Sequence, residues 1–220
     1  MALSRIDFWN DFFFQRPTPA DASLKSEAHE WYISAKDTHD IVLRKLKGRH
    51  RASTKILHNG CGSSELGVIL AEEFLQVIDC DASQNVVSQM SLRFPTHTFV
   101  VVDARALPLK DSSIDVIICK GMFDSITADS STRAQFAKRV VSEAARVLRP
   151  GGEYLIFSTF GLDDTSKNMQ ALLQHSCLSM EVEHLLVPPL EIPDQPGSFV
   201  YCLRRLGSSP AKAEEEGNGN

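Results

Sequence analysis

The chain has 220 residues, 43% of them apolar, enough for one good-sized core and a better fit to one domain than to two. Its formal net charge of −5 argues against nucleic acid as the main partner, because phosphate recognition draws on clustered Lys and Arg. No apolar run approaches the roughly 20 residues of a membrane span. The five cysteines, an odd number without paired metal-ligand spacing, read as reduced, buried thiols of an intracellular protein that holds no metal. Without the pattern of a signal peptide or presequence, a cytoplasmic location is the default.

Residues 1 to 16, M-A-L-S-R-I-D-F-W-N-D-F-F-F-Q-R, carry Phe8, Trp9, Phe12 and Phe13 at helical spacing and predict a short helix packed on the body. A loop with Pro17, Pro19 and Asp21 precedes a helix predicted from about Ser26 to Leu46, which carries Trp31, Tyr32, Ile41 and Val42. Residues 1–50 are thus expected to form a helical, aromatic lid over a ligand pocket, with Trp31 and Tyr32 as the aromatics that reach it. The basic run over residues 44–51, R-K-L-K-G-R-H-R, reads as the solvated end of that helix and its loop.

The stretch K-I-L-H-N-G-C-G-S-S-E-L-G, Lys55 to Gly67, organises the rest of the chain. A short apolar strand runs into a Gly-x-Gly turn at Gly60 and Gly62, and a helix is predicted from about Ser64 to Glu73 with Ser63 or Ser64 as its cap. A dinucleotide fingerprint would have Gly or Ala at position 65, against a pyrophosphate; here Glu65 would repel one. S-adenosylmethionine has no phosphate and carries positive charge on its sulfonium and amino groups, so the acidic turn reads as a site for that cofactor.

The second strand, about Leu75 to Cys80, ends at Asp81, roughly 20 residues beyond Gly62, where a carboxylate would accept hydrogen bonds from ribose hydroxyls. Asp79 competes for that role, and Asp81 could instead cap the helix predicted over Ser83 to Phe94. A third strand, Thr98 to Val102, ends at Asp103, which could meet the adenine amino group or cap the surface. Ile114 to Cys119 reads as a strand buried on both faces, and K-G-M-F-D, Lys120 to Asp124, lies at its carboxyl end, where ligands of such sheets bind. Beyond it come a helix over Ser131 to Leu148, a stop at Arg149-Pro150-Gly151-Gly152, and a strand over Glu153 to Ser158. A helix near Ser166 to His175, a strand near Met180 to Val187, a proline-bearing loop and a last strand over Phe199 to Arg204 complete the body. Residues 51–206 would form the cofactor-binding domain, and the polar stretch 207–220 a disordered tail. The class is α/β: a Rossmann-like, seven-stranded, mostly parallel sheet with helices on both faces.

With these elements in order, the chain resembles the class I, seven-stranded methyltransferases that use S-adenosylmethionine. More narrowly, N-G-C-G-S-S-E-L, D-F-W-N-D-F-F, E-W-Y at Glu30 to Tyr32 and C-K-G-M-F-D-S-I are similar to elements of the lysine and N-terminal methyltransferases of translation elongation factor 1-alpha. The resemblance implies that Gly60, Gly62 and Asp81 hold the cofactor and Asp103 its adenine, with Cys61, Ala82, Ala104 and Lys120 completing the cofactor set. It further implies that Lys120 to Asp124 line the transfer pocket, with Asp124 and Lys120 catalytic and Trp31, Tyr32 and Met122 against the substrate. The chain departs from the group at Cys119 and Met122, where Asp and Thr are usual. The expected activity is methylation of a lysine or amine on a protein such as elongation factor 1-alpha, by a monomer or weak dimer. A small-molecule methyltransferase and a non-catalytic scaffold of the same fold stay open beside it.

Overall fold

The computed structural model describes residues 5–16, 30–127, 133–159, 173, 177–185 and 198–207. Its elements in chain order are α1 (Ile6–Gln15), α2 (Ala35–Lys45), β1 (Lys55–Asn59), α3 (Leu66–Leu70), β2 (Gln76–Asp81), α4 (Gln84–Arg93), β3 (Phe99–Val101), β4 (Ile114–Lys120), α5 (Met122–Thr127), α6 (Arg133–Val147), β5 (Leu148–Ser158), β6 (Leu178–Leu185) and β7 (Ser198–Arg205). The loop at Pro17 to Asp21, most of the helix expected near Ser166 to His175, the proline-bearing loop beyond β6 and nearly all of the tail lie outside the described residues.

The strands form one sheet in the order β3-β2-β1-β4-β5-β7-β6. The first five are parallel, and β7 runs antiparallel to both β5 and β6. Apolar residues face both ways along each central strand, so helices must cover both sides. Leu57, Ile117, Cys119, Tyr154, Ile156, Tyr201 and Leu203 pack with Ala137, Val140, Val141 and Ala144 of α6. The alternate positions Ile56, Val116, Ile118, Leu155, Phe157 and Val200 pack with Ile41 and Val42 of α2 and Leu66 and Leu70 of α3. The chain winds outward from β1 through β2 to β3, then returns to build β4 and β5 on the other side. That reversal opens a crevice beyond the carboxyl ends of β1 and β4.

A smaller cluster ties the N-terminus down: Phe13 of α1 packs with Val86, Val87 and Met90 of α4. Polar contacts fix its register, since Asn10 Oδ1 accepts from Ser83 Oγ at 2.9 Å and Gln89 Nε2 donates to the Phe13 carbonyl at 3.0 Å.

Three elements differ from the sequence expectation for local reasons. The helix expected from Ser26 begins only at Ala35, because residues 30–34 make an irregular turn with Tyr32 at φ 66°. Ser34 caps α2 instead, its Oγ accepting from the Asp37 N–H at 3.0 Å. After the Gly-x-Gly turn α3 is reduced to one short stretch, and the expected cap Ser64 contributes from one residue further upstream, its Oγ accepting from the Leu66 N–H at 3.3 Å. The residue just before α3 is Glu65, which makes no side-chain cap bond, and Ser64 Oγ donates to the Glu30 carboxylate at 2.9 Å. Finally, β5 starts at Leu148: Ile114 pairs with Leu148 and Val116 with Glu153, so Arg149 to Gly152 are looped out within one strand instead of ending the helix before it.

Candidate functional site

Gly60 and Gly62 sit at φ 72° and 53°, a region that favours residues without a Cβ, and they turn the chain sharply off the end of β1. The turn is held to the neighbouring strand: the Gly60 and Cys61 N–H groups both donate to the Cys80 carbonyl, at 2.8 and 3.0 Å. Asp81, at the tip of β2, accepts from the Gly62 N–H at 2.9 Å with one oxygen and from the Ser83 N–H at 2.8 Å with the other. Burial raises the pKa of Asp81, against the pull of those two N–H groups. The cap of α4 is Ser83, whose Oγ accepts from the Val86 N–H, so Asp81 is not the cap of that helix.

Asp79 is occupied elsewhere. It is fully buried between His58 Nδ1, at 2.5 Å, and His97 Nε2. Burial works against its charge, but the two imidazoles hold its carboxyl below the usual range. Gly67 packs onto the same carboxylate, where a Cβ would fall 1.7 Å from Oδ2. The polar His58 of β1 is therefore half of a buried pair across two strands, and the pair settles the choice between Asp79 and Asp81 for the pocket.

One pocket gathers most of the expected residues: Gly60, Cys61, Gly62, Asp81, Ala82, Asp103, Ala104, Lys120, Met122 and Trp31 all line it. Asp124 and Tyr32 are not among the described residues of that lining. They bond to one another, the Tyr32 hydroxyl donating to Asp124, while Ser158 Oγ donates to Asp124 at 2.7 Å. Burial pushes the Asp124 carboxyl up to about 6, against these donors and the Thr159 N–H. Asp103 bends back on Arg105, accepting from its backbone N–H at 2.9 Å and from Nη2 at 2.6 Å. Burial opposes the charge of Asp103, yet Arg105 holds its carboxyl below the usual range. Arg105 in turn lies over the Phe136 ring, 4.5 Å from its centroid.

The acid of the turn, Glu65, does not line the pocket. It pairs at 2.7 Å with Arg93 of α4, a buried guanidinium that requires a counter-charge. The pocket's carboxylates are Glu30, Asp81 and Asp103 instead, Glu30 being paired with Lys120 and Asp103 with Arg105 of the same lining. Glu30 and Ser64, together with Trp9 and Phe13 of α1, belong to the lining although sequence spacing did not single them out for it. The available signal was the lone acid before the Trp31-Tyr32 pair and the aromatic stripe of α1. Cys119 faces the core, not the pocket, and burial pushes its thiol up to about 12.

Residues 57–156, from β1 to near the end of β5, match the methyltransferase domain family. The fold matches too: a methyltransferase from Clostridium acetobutylicum that depends on S-adenosylmethionine superposes with a TM-score of 0.63 at 14% identity, over 80% of this chain and 93% of that one. Residues 57–156 thus form a methyltransferase domain, and the fold is that of the class I methyltransferases. The human eEF1A lysine and N-terminal methyltransferase is 30% identical over 159 residues, 70% of this chain but 21% of that relative. The Bos taurus eEF1A lysine methyltransferase 4 is 30% identical over 161 residues, 68% of this chain and 59% of that relative. The chain thus spans about a fifth of the length of the first relatives it matches.

The cofactor of this methyltransferase class is S-adenosylmethionine, and the pocket's donor set fits it. The Gly-x-Gly turn brings backbone to the pocket at the β1 tip, Asp81 with the Glu30–Lys120 and Asp103–Arg105 pairs leaves the lining net acidic, and Trp9, Phe13, Trp31 and Phe136 supply apolar walls. Among the described residues, no helix is long and apolar enough to cross a membrane.

Proposed function

We propose that this methyltransferase transfers a methyl group from S-adenosylmethionine to a lysine or other amine of a protein, with a translation factor such as elongation factor 1-alpha as the leading target. The observation that carries the reading is the pocket itself: a cation-suited cradle of Gly60, Gly62 and Asp81 walled by aromatic side chains at the strand reversal. Its protein-lysine half rests on the two eEF1A lysine methyltransferase relatives. The protein's negative charge also suits a basic target.

When bound, the cofactor supplies an electrophilic methyl group on a sulfonium. The residues of this chain bind, orient and dry the site, which is most of what an in-line displacement asks of an enzyme. Gly60, Cys61, Gly62, Asp81 and Ala82 hold the cofactor, and Asp103 and Ala104 lie where its adenine would be read. Met122 and Trp31 face the acceptor. An acceptor lysine must lose its proton first, and desolvation against aromatic walls favours the neutral amine. Asp124 is buried and already takes three donors, so we assign it the positioning of Tyr32 at the edge of the acceptor channel. Lys120, paired with Glu30, acts on the cofactor side.

Purified protein with tritiated S-adenosylmethionine and cell lysate, resolved on a gel, tests the reading. A labelled protein band that alkaline hydrolysis traces to methyl-lysine supports it. Label confined to small metabolites would move the substrate to a small molecule, and no transfer with no cofactor binding would leave a scaffold.

A further inference from the structure

The pocket has two chemically different ends. Asp81 and Asp103 stand at the β2 and β3 end, while Glu30, Lys120 and Ser64 stand at the end made by β1 and β4. Lys120 Nζ donates to a Glu30 carboxylate oxygen and to the Ile33 carbonyl at 3.0 Å, and Ser64 Oγ donates to Glu30 Oε1 at 2.9 Å. The Lys120 side chain is 2% exposed and that of Glu30 16%, yet both reach the pocket wall.

Such a pair is poorly explained by stability. Withdrawing two charges from water costs about what their attraction returns, and apolar residues would fill the same space at least as well. The pair is also assembled with care. Glu30 comes from the turn before α2 and Lys120 from the tip of β4, and the two segments are locked together beside it, since a Cβ on Gly121 would meet Trp31 Cγ at 3.1 Å. The Ser64 hydroxyl fixes the carboxylate from a third segment. Two opposite charges side by side in a pocket wall are the complement of a zwitterion, which brings one ammonium and one carboxylate on neighbouring atoms.

We propose that Glu30 and Lys120 form a clasp for an α-amino-acid group at the β1 and β4 end of the pocket, Glu30 taking the ammonium and Lys120 the carboxylate. The proposal rests on the S-adenosylmethionine reading of the pocket, because that cofactor and its product S-adenosylhomocysteine carry such a group. It gives the N-terminal turn a share in cofactor recognition that the strand tips do not provide, and it makes Glu30 a determinant of specificity. A nucleoside thioether without the amino acid satisfies only the β2 and β3 end.

Calorimetric titration with S-adenosylhomocysteine and with 5′-methylthioadenosine, which lacks the amino-acid group, separates the two ends. Glu30→Gln and Lys120→Met are each expected to weaken S-adenosylhomocysteine at least roughly tenfold while leaving 5′-methylthioadenosine within about twofold. Ser64→Ala, which removes the hydroxyl bond to Glu30 and the weak 3.3 Å acceptor of the Leu66 N–H but no charge, is expected to give a smaller loss of about threefold on S-adenosylhomocysteine alone. A preference for S-adenosylhomocysteine that survives all three substitutions overturns the clasp and leaves the cofactor reading standing. Equal loss of both ligands in all three overturns it as well, the pair being then a support of the pocket. Failure of the unaltered protein to bind either ligand overturns the cofactor reading, and the clasp with it.

Discussion

The side chain of Met122 occupies the space that a Cβ on Gly60 would need: such an atom would stand 2.4 Å from the Met122 Cβ and 2.5 Å from its Cγ. The start of α5 and the turn after β1 therefore close on each other through a position that only glycine can fill. Gly60→Ala combines this overlap with a positive φ, and we expect a loss of roughly 2–5 kcal/mol in folding stability. Urea unfolding checks it, and an unchanged midpoint would show that the turn can rearrange freely.

Asp81 links the turn to α4 by accepting from the Gly62 and Ser83 N–H groups. Asp81→Ala removes the acceptor for both and the carboxylate that the ribose hydroxyls would meet, so S-adenosylhomocysteine binding should weaken by about tenfold or more. Asp81→Asn, which keeps one acceptor oxygen, should lose less. Calorimetry giving wild-type affinity for the alanine variant would remove Asp81 from the site.

Asp124 sets a pH dependence of known sign. Its carboxyl is raised from 3.8 to about 6 in the fold, chiefly by burial, so protonation favours the native state. That contribution is fully present below 3.8 and is lost as pH rises through about 6. Asp124→Asn does not titrate. Relative to that variant, the wild type should gain about 2 kcal/mol as pH falls from about 7.5 to about 4.5. Paired urea titrations across that range measure the difference, and a constant gap would refute the shift. If Asp124 also positions Tyr32, turnover by the Asn variant should fall with KM for the acceptor changing more than cofactor affinity.

Gly67→Ala gives a test by sign. In an ordinary helix the change would stabilise by about 1 kcal/mol. Here the new Cβ would fall 1.7 Å from an Asp79 oxygen that His58 and His97 hold in place, so a loss of roughly 3 kcal/mol or more is expected. A variant with a raised melting temperature would mean that the buried carboxylate can move.

Much of the site was legible from local pattern. Gly60 and Gly62 follow an apolar run and precede a helix, and the register of a parallel sheet then sets Asp81 and Asp103 at successive strand tips beside them. What failed was local reading of groups whose partner is distant. Glu65 stands in the turn by sequence, but Arg93 draws it away from the pocket. Asp79 and Asp81 differ by two positions on one strand, and only His58 on the neighbouring strand and His97 ahead of β3 show why one is core and the other pocket. Trp31 and Tyr32 read as helical, yet Ser34 caps the helix behind them and leaves Tyr32 at a positive φ that no periodicity reveals.

The sequence alone determined the alternation of strands and helices and the glycine turn after the first strand, because hydrophobic period and backbone sterics act between near neighbours. Tertiary structure alone decided which charges meet. Glu30 finds Lys120 from 90 positions away, and Ser64 joins them from 34, because a buried charge must take whichever partner the folded chain delivers.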